Sequence, residues 1–191
     1  MTTRFQQITL AIEQAQHLSA SAPPVTPEPV NTGWMPFNLF DFAALLIEAI
    51  PLIPDTGRLL EVGAGPGPNL AIARDLFGMD VHGIEVHDAL AAVGRDAGLP
   101  IQTADAADWT GYEKFDAVWL NRPIRDADAE RLLEERIWHE MADGAVAICA
   151  NLETRPPESW FIVNDSWESL RRGAWVKPRT RVLGGVTVDY A

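Results

Sequence analysis

Gly63, Gly65 and Gly67 stand at every second position directly after the apolar run LLEV, and one acid, Glu61, sits inside that run. Deleting three side chains where a strand enters a helix lets a ligand lie on bare backbone, close to amide donors and to the positive end of the helix. A phosphate is the common occupant of such a turn. The dinucleotide fingerprint, however, needs a small residue at its sixth position, and this chain has Pro68 there, with Gly67 as an extra glycine. Glu61 adds a carboxylate that would repel a pyrophosphate and attract a cation or a free amino group. The chemistry implied is recognition of a positively charged ligand.

The surrounding elements explain how such a turn would be held. The runs GRLLEVGAG, DVHGIEV, PIQTAD, FDAVWLN and AVAICANL read as buried strands. Between them NLFDFAALLIEAIPLI, PNLAIARDLFG, DALAAVGRDAG and DADAERLLEERIWHEMADG read as helices, the last with Leu132, Leu133, Ile137 and Met141 on one side. Helices alternating with buried strands predict a parallel sheet covered on both faces. WFIVND and GAWVKP are separated by too few residues for a helical crossover and predict an antiparallel pair. Near the start, Phe5, Ile8, Ile12 and Ala15 form one apolar stripe of a helix, followed by a connector with Pro23, Pro24, Pro27 and Pro29. Residues 1–30 are therefore expected to be an appendage, a lid or a contact to another copy, and residues 31–191 the main domain.

Composition narrows the partners. A chain of 191 residues suits one core without disulfides, and the lone Cys149 reads as a buried small hydrophobe. The net charge of −12 disfavours nucleic acid, because every phosphate contact needs a cation. The basic stretch RRGAWVKPRTR, residues 171–181, reads as a solvated strand pair and tail rather than an anion site. Neither a signal peptide nor a run long enough to cross a membrane is visible, so a cytoplasmic location is expected, with no membrane partner and no metal.

The glycine stretch resembles motif I of the class I S-adenosylmethionine-dependent methyltransferases, whose acid-x-Gly-x-Gly-x-Gly is matched by Glu61, Gly63, Gly65 and Gly67. Glu85, at the end of VHGIEV, is similar to the acid that takes both ribose hydroxyls in that family. Asp105 in QTADAADW matches the acid that reads the adenine amino group, and Asn121 lies where the fourth strand meets the methyl-transfer site. The resemblance covers roughly residues 37–152. It implies a Rossmann-like, doubly wound, mostly parallel seven-stranded sheet with a C-terminal antiparallel strand and helices on both faces. It implies S-adenosylmethionine as cofactor, bound by Glu61, Gly63, Ala64, Gly65, Gly67, Glu85, Val86, Asp105, Ala106 and Asn121, with Trp34 placed to close over it.

The acceptor is less legible. A methyl group on a sulfonium is already activated, so no dedicated base is obligatory, and Asn121 is the one candidate for a catalytic role. NRPI at 121–124 departs from the family's Asn/Asp-Pro-Pro-aromatic motif at Arg122 and Ile124, which removes the stacking ring used in amino methylation. Arg122 and Arg125 instead offer cations for a carboxylate or phosphate, or pair with Asp126, Asp128 or Glu130. A small molecule or an exposed group on a macromolecule is the expected acceptor, and a homo-oligomer through the N-terminal helix is expected as a further partner. A sensor or scaffold that binds the cofactor without transferring methyl is the alternative. The link ETRPPES is shorter than the helix-bearing connection usual before the sixth strand.

Overall fold

The structure is a computed structural model and describes residues 3–25, 36–165, 172–183 and 186–190. Five strands, β1 (Arg58–Val62), β2 (Asp80–Glu85), β3 (Ile101–Thr103), β4 (Ala117–Asn121) and β5 (Val146–Ala150), run parallel. The chain then adds β6 (Phe161–Asp165) and β7 (Gly173–Val176), with β7 antiparallel to both β5 and β6. The order across the seven-stranded sheet is β3-β2-β1-β4-β5-β7-β6. This is the Rossmann-like, mostly parallel sheet with an antiparallel C-terminal strand expected from the sequence. Chain order reverses between β1 and β4, which opens a crevice at their carboxyl ends.

Strand residues alternate between two apolar layers, as the pleat requires. Leu59, Trp119 and Ile148 enter one layer with Phe42 and Leu46 of α2 (Leu39–Ala49) and Leu70 and Ile72 of α3 (Pro68–Phe77). Leu60, Val118 and Cys149 enter the other with Tyr112, Phe115 and the Leu133 and Ile137 side chains of α5 (Ala127–Glu140). Helix α4 (Asp88–Asp96) links β2 to β3. Between β5 and β6 the described chain has no helix, in keeping with the short ETRPPES link.

Two elements sit differently from their sequence reading. Helix α1 (Arg4–Ala20), capped by Thr3 and Gln6, packs on α3 and buries Ala11, Ala15 and Leu18, while Phe5 is 77% exposed and Ile8 also faces outward. Of the expected stripe, Ala15 is buried and Ile12 packs on the core as read, whereas Phe5 and Ile8 lie off the docking face, which Ala11 and Leu18 complete. In α5, Leu132 is exposed, and the buried face instead carries Glu130 and Glu134 beside Leu133 and Ile137.

The C-terminal hairpin β8 (Arg179–Leu183) with β9 (Val186–Tyr190) forms a separate two-stranded sheet. Its root is at the amino ends of the parallel strands: Gly144 and Ala145, entering β5, exchange backbone bonds with Lys177, and the Lys177 ammonium caps α5 through the His139 and Met141 carbonyls. The basic stretch, expected to be solvated, thus crosses the sheet: Gly173 pairs with Cys149 at the carboxyl end of β5, β7 is buried, and Lys177 and Arg179 reach the far side from the glycine turn. No helix among the described residues is long and apolar enough to cross a membrane.

Candidate functional site

The turn from β1 into α3 is left-handed at all three glycines, with φ of 73° at Gly63, 55° at Gly65 and 81° at Gly67. Crowding adds to conformation. A side chain at Gly63 would place its Cβ 2.9 Å from that of Pro123, and one at Gly67 would meet Leu99 at 2.6 Å and Ile101 at 2.8 Å. The Gly63 and Ala64 amides donate to the Ile84 carbonyl at 2.9 and 3.0 Å, which pins the elbow to the end of β2.

Both candidate acids beside the elbow are buried. Glu85 accepts the Gly65 amide at 2.8 Å on Oε2 and the His87 amide at 2.9 Å on Oε1. A carboxylate has about four lone-pair positions, so two more donors fit, the number that a ribose diol supplies. Glu61 joins the two ends of the elbow: its Oε1 accepts the Asn69 side-chain amide at 2.8 Å from the first turn of α3. Its Oε2 and the Asn69 Oδ1 are buried without a donor. Burial pushes the Glu61 carboxyl up to about 8; the Asn69 amide, the Trp119 indole and the Leu70 amide oppose this, and the charge of Glu85 reinforces it. Once Glu61 is ionised, its Oε2 and the Asn69 Oδ1 are two acceptors in want of donors, which suit a cationic group that donates hydrogen bonds.

On the other flank, the segment after β3 closes as a turn in which Asp105 Oδ1 accepts the Ala107 amide at 2.9 Å. Asp105 is exposed, whereas Ala106 is buried and its carbonyl accepts the Tyr112 hydroxyl at 3.1 Å. Arg136 of α5 clamps the same turn through the Ala107 and Trp109 carbonyls. Val86 is 38% exposed beside Glu85.

Across the crevice, Asn121 ends β4 and its Oδ1 accepts the Asn151 side-chain amide at 2.8 Å. Arg122 and Asn151 are both left-handed without being glycine, with φ of 46° and 57°. Such strain persists only where surroundings hold it. Arg122 pairs with Glu153 at 2.9 Å, not with the acids nearest in sequence, because the loops after β4 and β5 lie side by side. Arg125 is exposed, and Trp34 lies outside the described residues. Sequence reading missed Asn69, Glu134 and Gly83, and saw Glu130 only as a pairing partner for Arg122 or Arg125. Of these Gly83 had a visible signal, a glycine inside a strand, and a Cβ there would meet Ala64 and Leu70 at 2.8 Å.

No family model matches the sequence, and no curated protein does. Solved structures do. An RNA methyltransferase from Salinibacter ruber, crystallised with S-adenosyl-L-homocysteine, superposes with a TM-score of 0.60 at 16% identity, covering 78% of this chain and 97% of that one. The chain has the class I methyltransferase fold. The same fold links it to the amino pentose methyltransferase of calicheamicin biosynthesis from Micromonospora echinaspora, at a TM-score of 0.50 and 22% identity over 61% of this chain and 57% of that one. A phosphoethanolamine N-methyltransferase 2 from Haemonchus contortus aligns at 26% identity and a TM-score of 0.48 over 58% of this chain. The chain spans only 28% of that protein's length. Within the class I methyltransferase fold, the β1–β4 crevice described here is the topological switch point at which open α/β sheets take their ligands.

Proposed function

We propose that the chain is an S-adenosylmethionine-dependent methyltransferase. The observation that carries this reading is the Glu61–Asn69 pair beneath a bare glycine elbow, with one oxygen on each residue lacking a donor. A phosphate ligand would add negative charge beside Glu85 and leave Glu61 protonated, whereas the amino-acid end of S-adenosylmethionine brings an ammonium that an ionised Glu61 can meet. The bare elbow, the spare capacity of Glu85 and these two oxygens fit that cofactor.

When bound, the cofactor supplies an electrophilic methyl group on a sulfonium. Glu61 and Asn69 hold the ammonium end, Glu85 orients the ribose through paired hydrogen bonds, and the 105–106 turn borders the adenine. Asn121 and the loop that follows it receive the acceptor and set its line of approach. The acceptor is a small molecule or one exposed group on a macromolecule.

Titration calorimetry tests the first step. S-adenosylmethionine should bind, and Glu85→Ala should weaken it about tenfold or more, the scale of losing charge-assisted hydrogen bonds. Heat with a nicotinamide dinucleotide and none with S-adenosylmethionine overturns the reading.

One observation favours a second reading, a cofactor-binding sensor or scaffold. The acceptor-side groups are satisfied internally, Asn121 by Asn151 and Arg122 by Glu153. Incubation with cell extract and methyl-labelled cofactor separates the two: label entering any acceptor fraction supports transfer. Cofactor binding without transfer, together with a co-purifying partner lost on Phe5→Ser and Leu10→Ser in the exposed face of α1, supports the sensor.

A further inference from the structure

Glu130 and Glu134 lie one turn apart on α5 and both are fully buried, at 0% exposure. Their carboxyl groups take donors from two different loops. Glu130 Oε2 accepts the Ile124 amide at 2.8 Å, from the loop after β4. Glu134 Oε1 accepts the Glu153 amide at 2.9 Å, and its Oε2 accepts both the amide and the hydroxyl of Thr154, from the loop after β5. The remaining oxygen, Glu130 Oε1, is buried with no donor reaching it. Four residues apart, the two carboxyl groups share one buried face of α5, where each acts on the other.

Two ionised carboxylates in contact, both stripped of water, repel each other and lose their hydration. A proton between them removes the conflict. It belongs on Glu130 Oε1, because both oxygens of Glu134 already face N–H or O–H donors and Oε1 of Glu130 faces none. Glu130 then donates to Glu134, and the pair carries a single negative charge. We propose that Glu130 and Glu134 are positioning residues that share one proton, and that this proton joins the loops after β4 and β5 into one wall of the crevice.

The wall carries the Asn121–Asn151 bond, the Arg122–Glu153 pair and Pro123 against Gly63. That it faces a methyl acceptor rests on the proposed function; the shared proton does not. Burial first, and the neighbouring Glu134 second, push Glu130 up to about 8, with the Ile124 amide and the Arg122 charge opposing. Charged and titratable groups acting on the pair include Arg122 from the loop after β4 and Cys149 from β5, while Glu153 of the loop after β5 reaches Glu134 by its backbone amide and holds Arg122 with its carboxylate. Burial raises the Cys149 thiol, so it stays neutral while Glu130 titrates. As pH rises through about 8 the proton leaves and the two loops lose their link.

Amide hydrogen exchange at Ile124, Glu153 and Thr154, compared at pH 7 and pH 9 after correction for intrinsic rates, tests this. Wild type should lose about tenfold protection at the higher pH, the effect of one hydrogen bond of about 1.4 kcal/mol. Glu130→Gln supplies a permanent N–H to Glu134 and a carbonyl for Ile124, so its protection should stay at the wild-type pH 7 level throughout. Glu134→Gln turns an NH2 toward donors however it is oriented, so protection should be lost at both pH values. Should Glu134→Gln fail to fold, Thr154→Ala serves instead, and the amide at position 154 should exchange faster than in wild type at pH 7. Equal behaviour of the Glu130 and Glu134 variants, or wild-type protection unchanged at pH 9, overturns the proposal. Calorimetry with S-adenosylhomocysteine on the same samples reports on the methyltransferase reading separately.

Discussion

Glu61 is an acid between Leu60 and Val62 in a strand, and the question it poses is what a carboxyl does with nowhere to be hydrated. With its carboxyl raised to about 8, it is neutral at pH 7 until a cation arrives. Binding of an ammonium-bearing ligand then releases a proton. Affinity for S-adenosylhomocysteine should therefore climb from pH 6 to about 8 and level off, and Glu61→Gln should bind more weakly with a flatter profile, both measured by calorimetry. The effect on stability has the opposite sign. Between the ordinary carboxylate value of 4.5 and about 8 the unfolded chain is ionised while the folded one keeps its proton. Thermal stability without ligand should thus fall as pH rises through that window, and Glu61→Gln should reduce the slope. Glu61 was legible as an oddity in sequence, an acid in an apolar run; its partner Asn69 was not, since an asparagine after a helix-starting proline is unremarkable until the fold brings it to Glu61.

The glycine elbow is an element whose sequence demanded its shape. Gly67→Ala forces a left-handed side chain into Leu99 and Ile101 and should cost about 1–3 kcal/mol, read as a lower urea midpoint. Helix α1 shows the reverse. Its periodicity announced a helix and placed Ile12 and Ala15 correctly, but the buried side is completed by Ala11 and Leu18 against α3 rather than by Phe5 and Ile8. Ala15→Leu overfills that contact and should destabilise by about 1–3 kcal/mol, whereas Phe5→Ser should leave the melting temperature unchanged. Equal melting of both variants would mean α1 contributes nothing to the main core. Helix α5 carries the same lesson further: its core face holds two glutamates that no hydrophobic pattern selects.

Over the whole molecule, charge and topology separate two ends. The crevice lies at the carboxyl ends of the strands beside Glu61, Glu85 and Asp105, while the basic hairpin starts at the amino ends, where Lys177 is spent on capping α5. With a net charge of −12 and acids lining the crevice, a 20-nucleotide single-stranded RNA should show no saturable binding by fluorescence anisotropy at ~0.15 M salt, where the Debye length is about 8 Å.

The order of buried runs, the antiparallel close of the sheet and the glycine elbow were all determined along the chain, since each follows from a local period or a steric demand made within a few residues. Partnerships belong to the tertiary structure: Arg122 with Glu153, Asn121 with Asn151, and Glu130 with Glu134 over two loops. Their reason is spatial. A polar side chain buried in a protein takes its meaning from whichever donor or acceptor the packing of distant segments leaves beside it.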